Sequence, residues 1–252
     1  MRRLLPLLVL LVACRWGGDG VPKPLAALAD GAAWTDPTTT VAWVAIPGAP
    51  YALSRTEVTV DQFRRCVKAG ACDDKEAGGI EWQEQPWKRD ALCNWNHADR
   101  GDHPINCIDW TDADAVCRWA GGRTPTKEEW LEEAKGGEDR LFPWGDAMAD
   151  CSTAVMNDWK THPSGGRRTG CGTQTTAPVC SRPKGNSRSG LCDLAGNLWE
   201  WTATQEFDDT PPRYNLGGSY ENAADVLTTD FTMVNPVWCR TPALGTRCRR
   251  AR

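Results

Sequence analysis

The sequence predicts a disulfide-held domain of short strands and helices joined by long, turn-rich loops, and three observations carry that expectation. First, 24 glycines and 17 prolines in 252 residues, with a mean hydropathy of −0.51, leave little room for long helices or a continuous parallel sheet. Second, 14 tryptophans and 40% apolar residues still supply the bulk of a packed core, and the length suits one large domain. Third, 12 cysteines follow a segment that reads as an export signal, and an extracytoplasmic compartment permits disulfides.

The signal comes first. Met1-Arg2-Arg3 is basic, Leu4 to Val12 is apolar, and Leu11-Val12-Ala13-Cys14 closes the segment with small residues. Such a run is too short to span a bilayer, which needs about 20 residues in a helix. The LVAC ending resembles the lipobox of bacterial lipoproteins. That resemblance implies cleavage before Cys14, acylation of Cys14, and anchoring in the cell envelope of a Gram-negative-type bacterium; an ordinary cleaved signal with an incidental cysteine is the alternative. Arg15 stands where an Asp would favour retention in the inner membrane, so the outer membrane is the expected site. Removing residues 1–13 takes away two arginines and no acids, so 27 basic groups face 33 acidic ones and the net charge becomes −6. That balance argues against nucleic acid as a partner. The one basic cluster, Arg247, Arg249, Arg250 and Arg252, reads as a solvated tail.

Residues 14–41 are rich in Gly, Pro, Ala, Asp and Thr without periodicity, which predicts a flexible tether, with the folded domain occupying 42–252. Ser54 to Val58 reads as a strand. Thr59 with Gln62 forms a capping box that starts a helix ended by Gly70. The segment from Ala71 to Asn106 shows no sustained period and predicts a long irregular insertion pinned by bridges. A second helix is expected from Thr111, with Asp114 in the reciprocal capping position, to Gly121. A third is expected from Thr126, with Glu129 completing the box, Trp130 and Ala134 facing inward, and Gly136 at the exit.

The stretch Gly190 to Thr202, GLCDLAGNLWEWT, organises what remains. Asp193 and Glu200 bracket a Gly196-Asn197 turn clamped by Leu198, Trp199 and Trp201, a composition suited to a hard cation: Ca²⁺ takes about six to eight oxygens, many of them carbonyls. A Gly-Asn turn leading into a Trp-rich core strand is the alternative. Zinc is disfavoured, because no CxxC pair exists and His97, His103 and His162 do not fall at ligand spacing.

The runs HPINCIDWTDADAVCRWAGGRTPTKEEW, FPWGD, GLCDLAGNLWEWT, LGGSY and LGTRCRR, in this order, resemble the formylglycine-generating enzyme (sulfatase-modifying factor) family over Ala42 to Ala251. The resemblance implies an α+β fold related to C-type lectins, with little regular secondary structure, one or two calcium ions, and a groove for a peptide, protein or small molecule. It places a calcium site at the carbonyls of Asp193, Gly196 and Leu198 and the side chain of Glu200. A second calcium site is not expected, because its Asn falls at Val155 and its Asp at Cys180. Cys192 lies where the family often has Tyr, so a Cys180–Cys192 bridge is expected to replace that cation. The family's own disulfide maps to Cys117 and Cys248, a closure worth about 4 to 5 kcal/mol by chain entropy. Sequence proximity favours Cys66–Cys72, Cys93–Cys107 and Cys151–Cys171, leaving Cys239 single.

The resemblance places the family's two copper-binding cysteines at Asn222 and Leu227, neither of which supplies the thiolate that Cu(I) requires, so copper is not expected. Ser219 belongs to the groove, without a neighbouring histidine in sequence to activate it. Three readings compete: a non-catalytic ligand- or protein-binding lipoprotein; an oxidoreductase of the sulfatase-modifying class with a non-standard active site; and a relative of iron-dependent sulfoxide synthases. The last is disfavoured by the lack of their histidine-bearing helical domain.

Overall fold

In the computed structural model, residues 29–82, 85–166, 168–207 and 212–252 are described. The expected signal peptide (1–13), the acylated Cys14 and the tether as far as residue 28 lie outside the described residues. The remainder of the expected tether is folded. Strand β1 (Ala33–Thr35) pairs antiparallel with β2 (Ala42–Ala45), and Trp34 stands opposite Trp43. Asp36 makes this possible: its Oδ1 accepts the amides of Thr38 and Thr39, and its own amide reaches the Val41 carbonyl. A Pro-Thr-Thr-Thr run that reads as low complexity is therefore a closed turn.

Two four-stranded sheets form the β layer. The first has the order β1-β2-β3-β10, with β3 at Tyr51–Ser54 and β10 at Arg249–Ala251. The second has the order β8-β7-β6-β9 and is built from β6 (Trp199–Gln205), β7 (Arg213–Leu216), β8 (Met233–Asn235) and β9 (Leu244–Gly245). Within it β6 and β9 run parallel, Trp199 beside Leu244. The strand expected at Ser54–Val58 is displaced, because regular pairing ends at Ser54. Ser54 Oγ and Thr56 Oγ1 donate to the main chain just ahead, at Thr56 and Glu57, and these local bonds draw the segment out of the ladder. Nor is the 71–106 insertion wholly irregular. It contains the antiparallel ribbon β4 (Gly79–Trp82) and β5 (Gln85–Arg89), in which the Trp87 ring lies where a Cβ on Gly79 would be.

Three α-helices pack on these sheets among the described residues. Helix α1 (Val60–Lys68) has the Thr59–Gln62 capping box and turns out through Gly70 at φ 71°. Helix α3 (Lys127–Lys135) has the Thr126–Glu129 box and the left-handed Gly136 as its cap. Helix α2 (Trp110–Trp119) begins two residues earlier than expected, since Asp109 rather than Thr111 caps it by accepting the Asp112 amide at 2.9 Å. A charged carboxylate at that end also meets the positive pole of the helix. Asp114, freed from the capping role, binds Arg118 at 2.6 Å.

Bridges join Cys66–Cys72, Cys93–Cys107, Cys117–Cys248, Cys151–Cys171 and Cys180–Cys192, while Cys239 is free and buried. The segment from Arg247 to Arg252 corrects the expectation of a solvated tail. Arg247 and Arg250 are buried, Arg249 pairs with Glu129, and Arg252 pairs with Asp30. Acceptors waiting at each position, and the Trp34 and Trp43 faces near Arg250, draw the guanidiniums inward.

Candidate functional site

Side chains alternate along β6, so Glu200 leaves one face of the strand while Trp199 and Trp201 leave the other. The two faces have different chemistry.

On the Glu200 face every group is buried. Arg247 grips the Glu200 carboxylate with Nε and Nη2, both at 2.6 Å, and the Trp130 indole donates to it at 2.6 Å. The preceding turn holds Asp193, Gly196 and Asn197 at positive φ. Gly196 is required twice over, because a Cβ there would also stand 2.6 Å from the Val155 carbonyl oxygen. Glu57 locks the turn: its carboxylate accepts the Asn197 side-chain amide at 2.7 Å and the Leu198 main-chain amide at 2.9 Å. Asp193 accepts the Cys180 amide at 2.6 Å.

Three carboxylates, Glu57, Asp193 and Glu200, therefore gather near the Arg247 guanidinium, each at most 8% exposed. The cluster is short of positive charge. Burial, with Asp193 and Glu200 nearby, holds the Glu57 carboxyl well above the usual range, and burial pushes Asp193 up to about 6. Among the described residues no hydrogen-bond donor reaches the carbonyls of Asp193, Gly196 or Leu198. Nor do three His, Cys, Asp or Glu side chains converge as a metal centre there. The donors at this turn are all oxygens, the kind a hard cation such as Ca²⁺ takes and a soft one does not. Glu200 already accepts three hydrogen bonds, which leaves about one of its four lone-pair sites for such an ion. Val155 is buried, and Cys180 is taken up in its disulfide, so neither offers a side-chain oxygen for another cation.

Glu57, Trp130 and Arg247 escaped the sequence reading as partners of this turn. No local signal separates Glu57 from Arg55 two residues before it, or Arg247 from Arg249 and Arg250.

On the Trp199 face lies a cavity of about 320 Å³. Its walls are mostly apolar, with Ile80, Trp82, Trp199 and Met233 prominent, and Ser219 and Asn222 supply polar groups. Ser219 is fully buried and its Oγ donates to Asn222 Oδ1 at 2.8 Å; the same oxygen takes the Ser219 amide at 2.9 Å. The serine hydroxyl is thus committed to a turn-locking bond. Leu227 does not line the cavity. It packs with Phe142, Met156 and Ala195 in a satellite core and against Gly218. Cys239 sits between the wall residues Asn235 and Arg240, fully buried, its thiol pushed up to about 12 by burial. Arg240 itself is held by Asp109, Asp112 and Glu76, at 2.7, 2.5 and 3.1 Å.

The description of a sulfatase-modifying factor enzyme 1-like domain matches residues 29–252. The chain is 37% identical to the formylglycine-generating enzyme of Mus musculus over 119 residues, 44% of this chain and 32% of that protein. It is 33% identical to the inactive C-alpha-formylglycine-generating enzyme 2 of Bos taurus over 169 residues, 64% of this chain and 55% of the relative. It therefore spans about a third to a half of these relatives' length. The fold is also that of PvdO from Pseudomonas aeruginosa, with a TM-score of 0.68 at 16% identity over 90% of this chain and 100% of that one.

Proposed function

Because the chain belongs to the sulfatase-modifying factor enzyme 1-like domain family, we propose that it is a non-catalytic member: a calcium-stabilised module whose cavity beside Trp199 binds a peptide, protein or small molecule at the cell envelope. One observation carries this reading. Where the family resemblance places two thiolates there is a carboxamide, occupied by Ser219, and an isobutyl group packed in a separate core. Cu(I) needs soft ligands, and neither group is one. The free thiol among the described residues, Cys239, is scarcely ever a thiolate at neutral pH when burial pushes it up to about 12. A relative whose own name calls it inactive makes a fold kept without its oxidase chemistry a reasonable expectation.

Calcium would be held by the carbonyls of Asp193, Gly196 and Leu198 with Glu200, and would supply charge neutralisation and cross-linking of the turn. At 100 times its Kd a ligand stabilises by about 2.7 kcal/mol, so chelation should lower the melting temperature by a measurable margin. The anchor would be the lipid on Cys14. Cys14→Ala should move the protein to the soluble periplasmic fraction, and an unmodified Cys14 in mass spectrometry would remove the anchor.

The deciding experiment incubates the protein with copper, oxygen and a cysteine-containing sulfatase-type peptide, and looks for the aldehyde by mass spectrometry. No product is expected. Product from the unaltered chain that disappears in Cys239→Ser would establish the second reading, an oxidoreductase with a displaced active site.

A further inference from the structure

We infer that the cavity beside Trp199 selects an uncharged carboxamide, a group that offers a carbonyl oxygen to donors on the cavity wall, an N–H to Glu221, and an apolar body to Trp82, Trp199 and Met233. This rests on the reading above that the cavity binds a ligand, and deepens it by naming the chemistry recognised.

The wall is short of free acceptors. Asn222 Oδ1 is taken twice, by the amide and the hydroxyl of Ser219, and the Asn235 carboxamide is bonded to Asn215. What remains is mostly donor, and the Trp199 indole is the clearest case. Its neighbours in the fold all find acceptors: Trp130 donates to Glu200 at 2.6 Å, Trp110 to the Thr202 carbonyl at 3.0 Å, and Trp201 to the Ile108 carbonyl at 3.1 Å. Trp199 is only 2% exposed, yet its N–H meets no acceptor among the described residues. The atom is not sealed in the core, so it opens on the cavity that its ring lines. Asn222 Nδ2 and the Thr241 hydroxyl, on the same wall, are likewise without partners among the described residues. A secluded N–H is costly to leave unpaired, so a ligand that brings an acceptor gains more there than at an open surface.

Charge narrows the choice of acceptor. A carboxylate would enter beside Glu221, and the one guanidinium on the wall, that of Arg240, is already answered by Glu76, Asp109 and Asp112. An ammonium has no lone pair to give the indole. A sugar brings hydroxyl donors along with its acceptors, and this wall has little to receive them. An uncharged carboxamide has one strong acceptor for the donors, and its own N–H needs one acceptor, which the exposed Glu221 carboxylate supplies. A volume of about 320 Å³ suits a single ring or branched alkyl group carrying that amide.

The test uses matched probes on the whole chain. N-benzylacetamide carries the amide; N-ethylbenzylamine has the same skeleton with the carbonyl reduced to a methylene and is an ammonium at neutral pH; 3-phenylpropionate carries a carboxylate. In NMR titrations with nitrogen-15-labelled tryptophan, the amide should bind about tenfold more tightly than either of the others. It should also shift the Trp199 indole cross-peak, identified by its absence from Trp199→Phe. That variant keeps an aromatic ring and loses the donor, so amide affinity should fall to that of the amine while amine affinity stays unchanged. Thr241→Val, at a partly exposed position, should lower amide affinity by a smaller factor, and the ranking of the probes on the unaltered chain reads out even if Trp199→Phe does not fold. Equal affinity for the three probes, or an amide preference undiminished in Trp199→Phe, overturns the carboxamide assignment while leaving a ligand-binding cavity in place. No binding of any probe removes both.

Discussion

The two faces of β6 differ in kind although their residues alternate along one strand. On the Glu200 face, charge is buried and held by hydrogen bonds: Glu200 by Arg247 and Trp130, Glu57 by Asn197 and Leu198. On the Trp199 face a cavity stays open, its walls mostly apolar, with Ser219 bonded to Asn222. The difference teaches where such a fold tolerates change. A substitution at Glu200 strands a buried guanidinium, whereas the turn at 219–222 closes on itself with Asn at 222, and residue 227 faces a satellite core.

That contrast can be broken by measurement. The largest effect is expected at Glu200→Ala, which leaves Arg247 buried without its partner and should cost about 3 to 5 kcal/mol in denaturant unfolding. A loss under about 1 kcal/mol would mean the buried face is not the framework. Next, Asn222→Cys with Leu227→Cys should bind Cu(I) only weakly, because residue 222 lines the cavity while residue 227 packs in the satellite core. The cost should be about 2 to 3 kcal/mol, for the trimmed Leu227 packing and the lost Ser219 bonds. Tight copper binding by the folded double variant would show that these two side chains alone separate this cavity from a copper site.

A smaller effect concerns Asp112, beside the cavity wall. Burial, with Asp109 adjacent, pushes its carboxyl up to about 6 despite Arg240. The folded protein holds this proton more tightly than the unfolded chain does, so the associated stability is complete below the ordinary aspartate value of 3.8 and is lost as pH rises through about 6. Asp112→Asn should flatten that decline in urea midpoints between about pH 4 and 7. An unchanged profile would assign the decline to other carboxyls. Least of all, Trp82→Ala should alter stability by no more than about 0.5 kcal/mol, since the ring is half exposed, while weakening capture of any ligand that enters the cavity.

What could be read in advance follows the range of the interactions. The capping boxes at Thr59–Gln62 and Thr126–Glu129 were legible because both partners lie within four residues and the motif states its own geometry. The start of α2 was not: four acidic or hydroxyl residues, Asp109, Thr111, Asp112 and Asp114, compete within six positions, and only the fold shows that Asp109 wins. β1 was hidden by composition, its pairing secured by a side chain, Asp36, that looks like any linker acid. The 193–200 turn was legible as an oxygen-rich loop from Gly196, Asn197 and the flanking acids. The countercharge was not, because Arg247 lies 47 residues from Glu200 and nothing local distinguishes it from the arginines beside it. Of the cavity only Ser219 was legible, through the motif that carries it, since the walls come from β4, β6, β8 and the 240–244 segment, which no local pattern brings together.

The placement of residues 247–251 bears on how the chain reaches this state. They complete the first sheet against β3, bridge back to Cys117 and carry the guanidinium that answers Glu200. A chain emerging amino-terminus first must therefore carry Glu57, Asp193 and Glu200 unanswered, and one sheet unfinished, until this segment arrives. Helices α1 and α3 can form as they emerge, but the acidic turn cannot close. The acidic turn and the first sheet therefore close only once residues 247–251 are in place, and Cys117 stays unpaired until Cys248 reaches it.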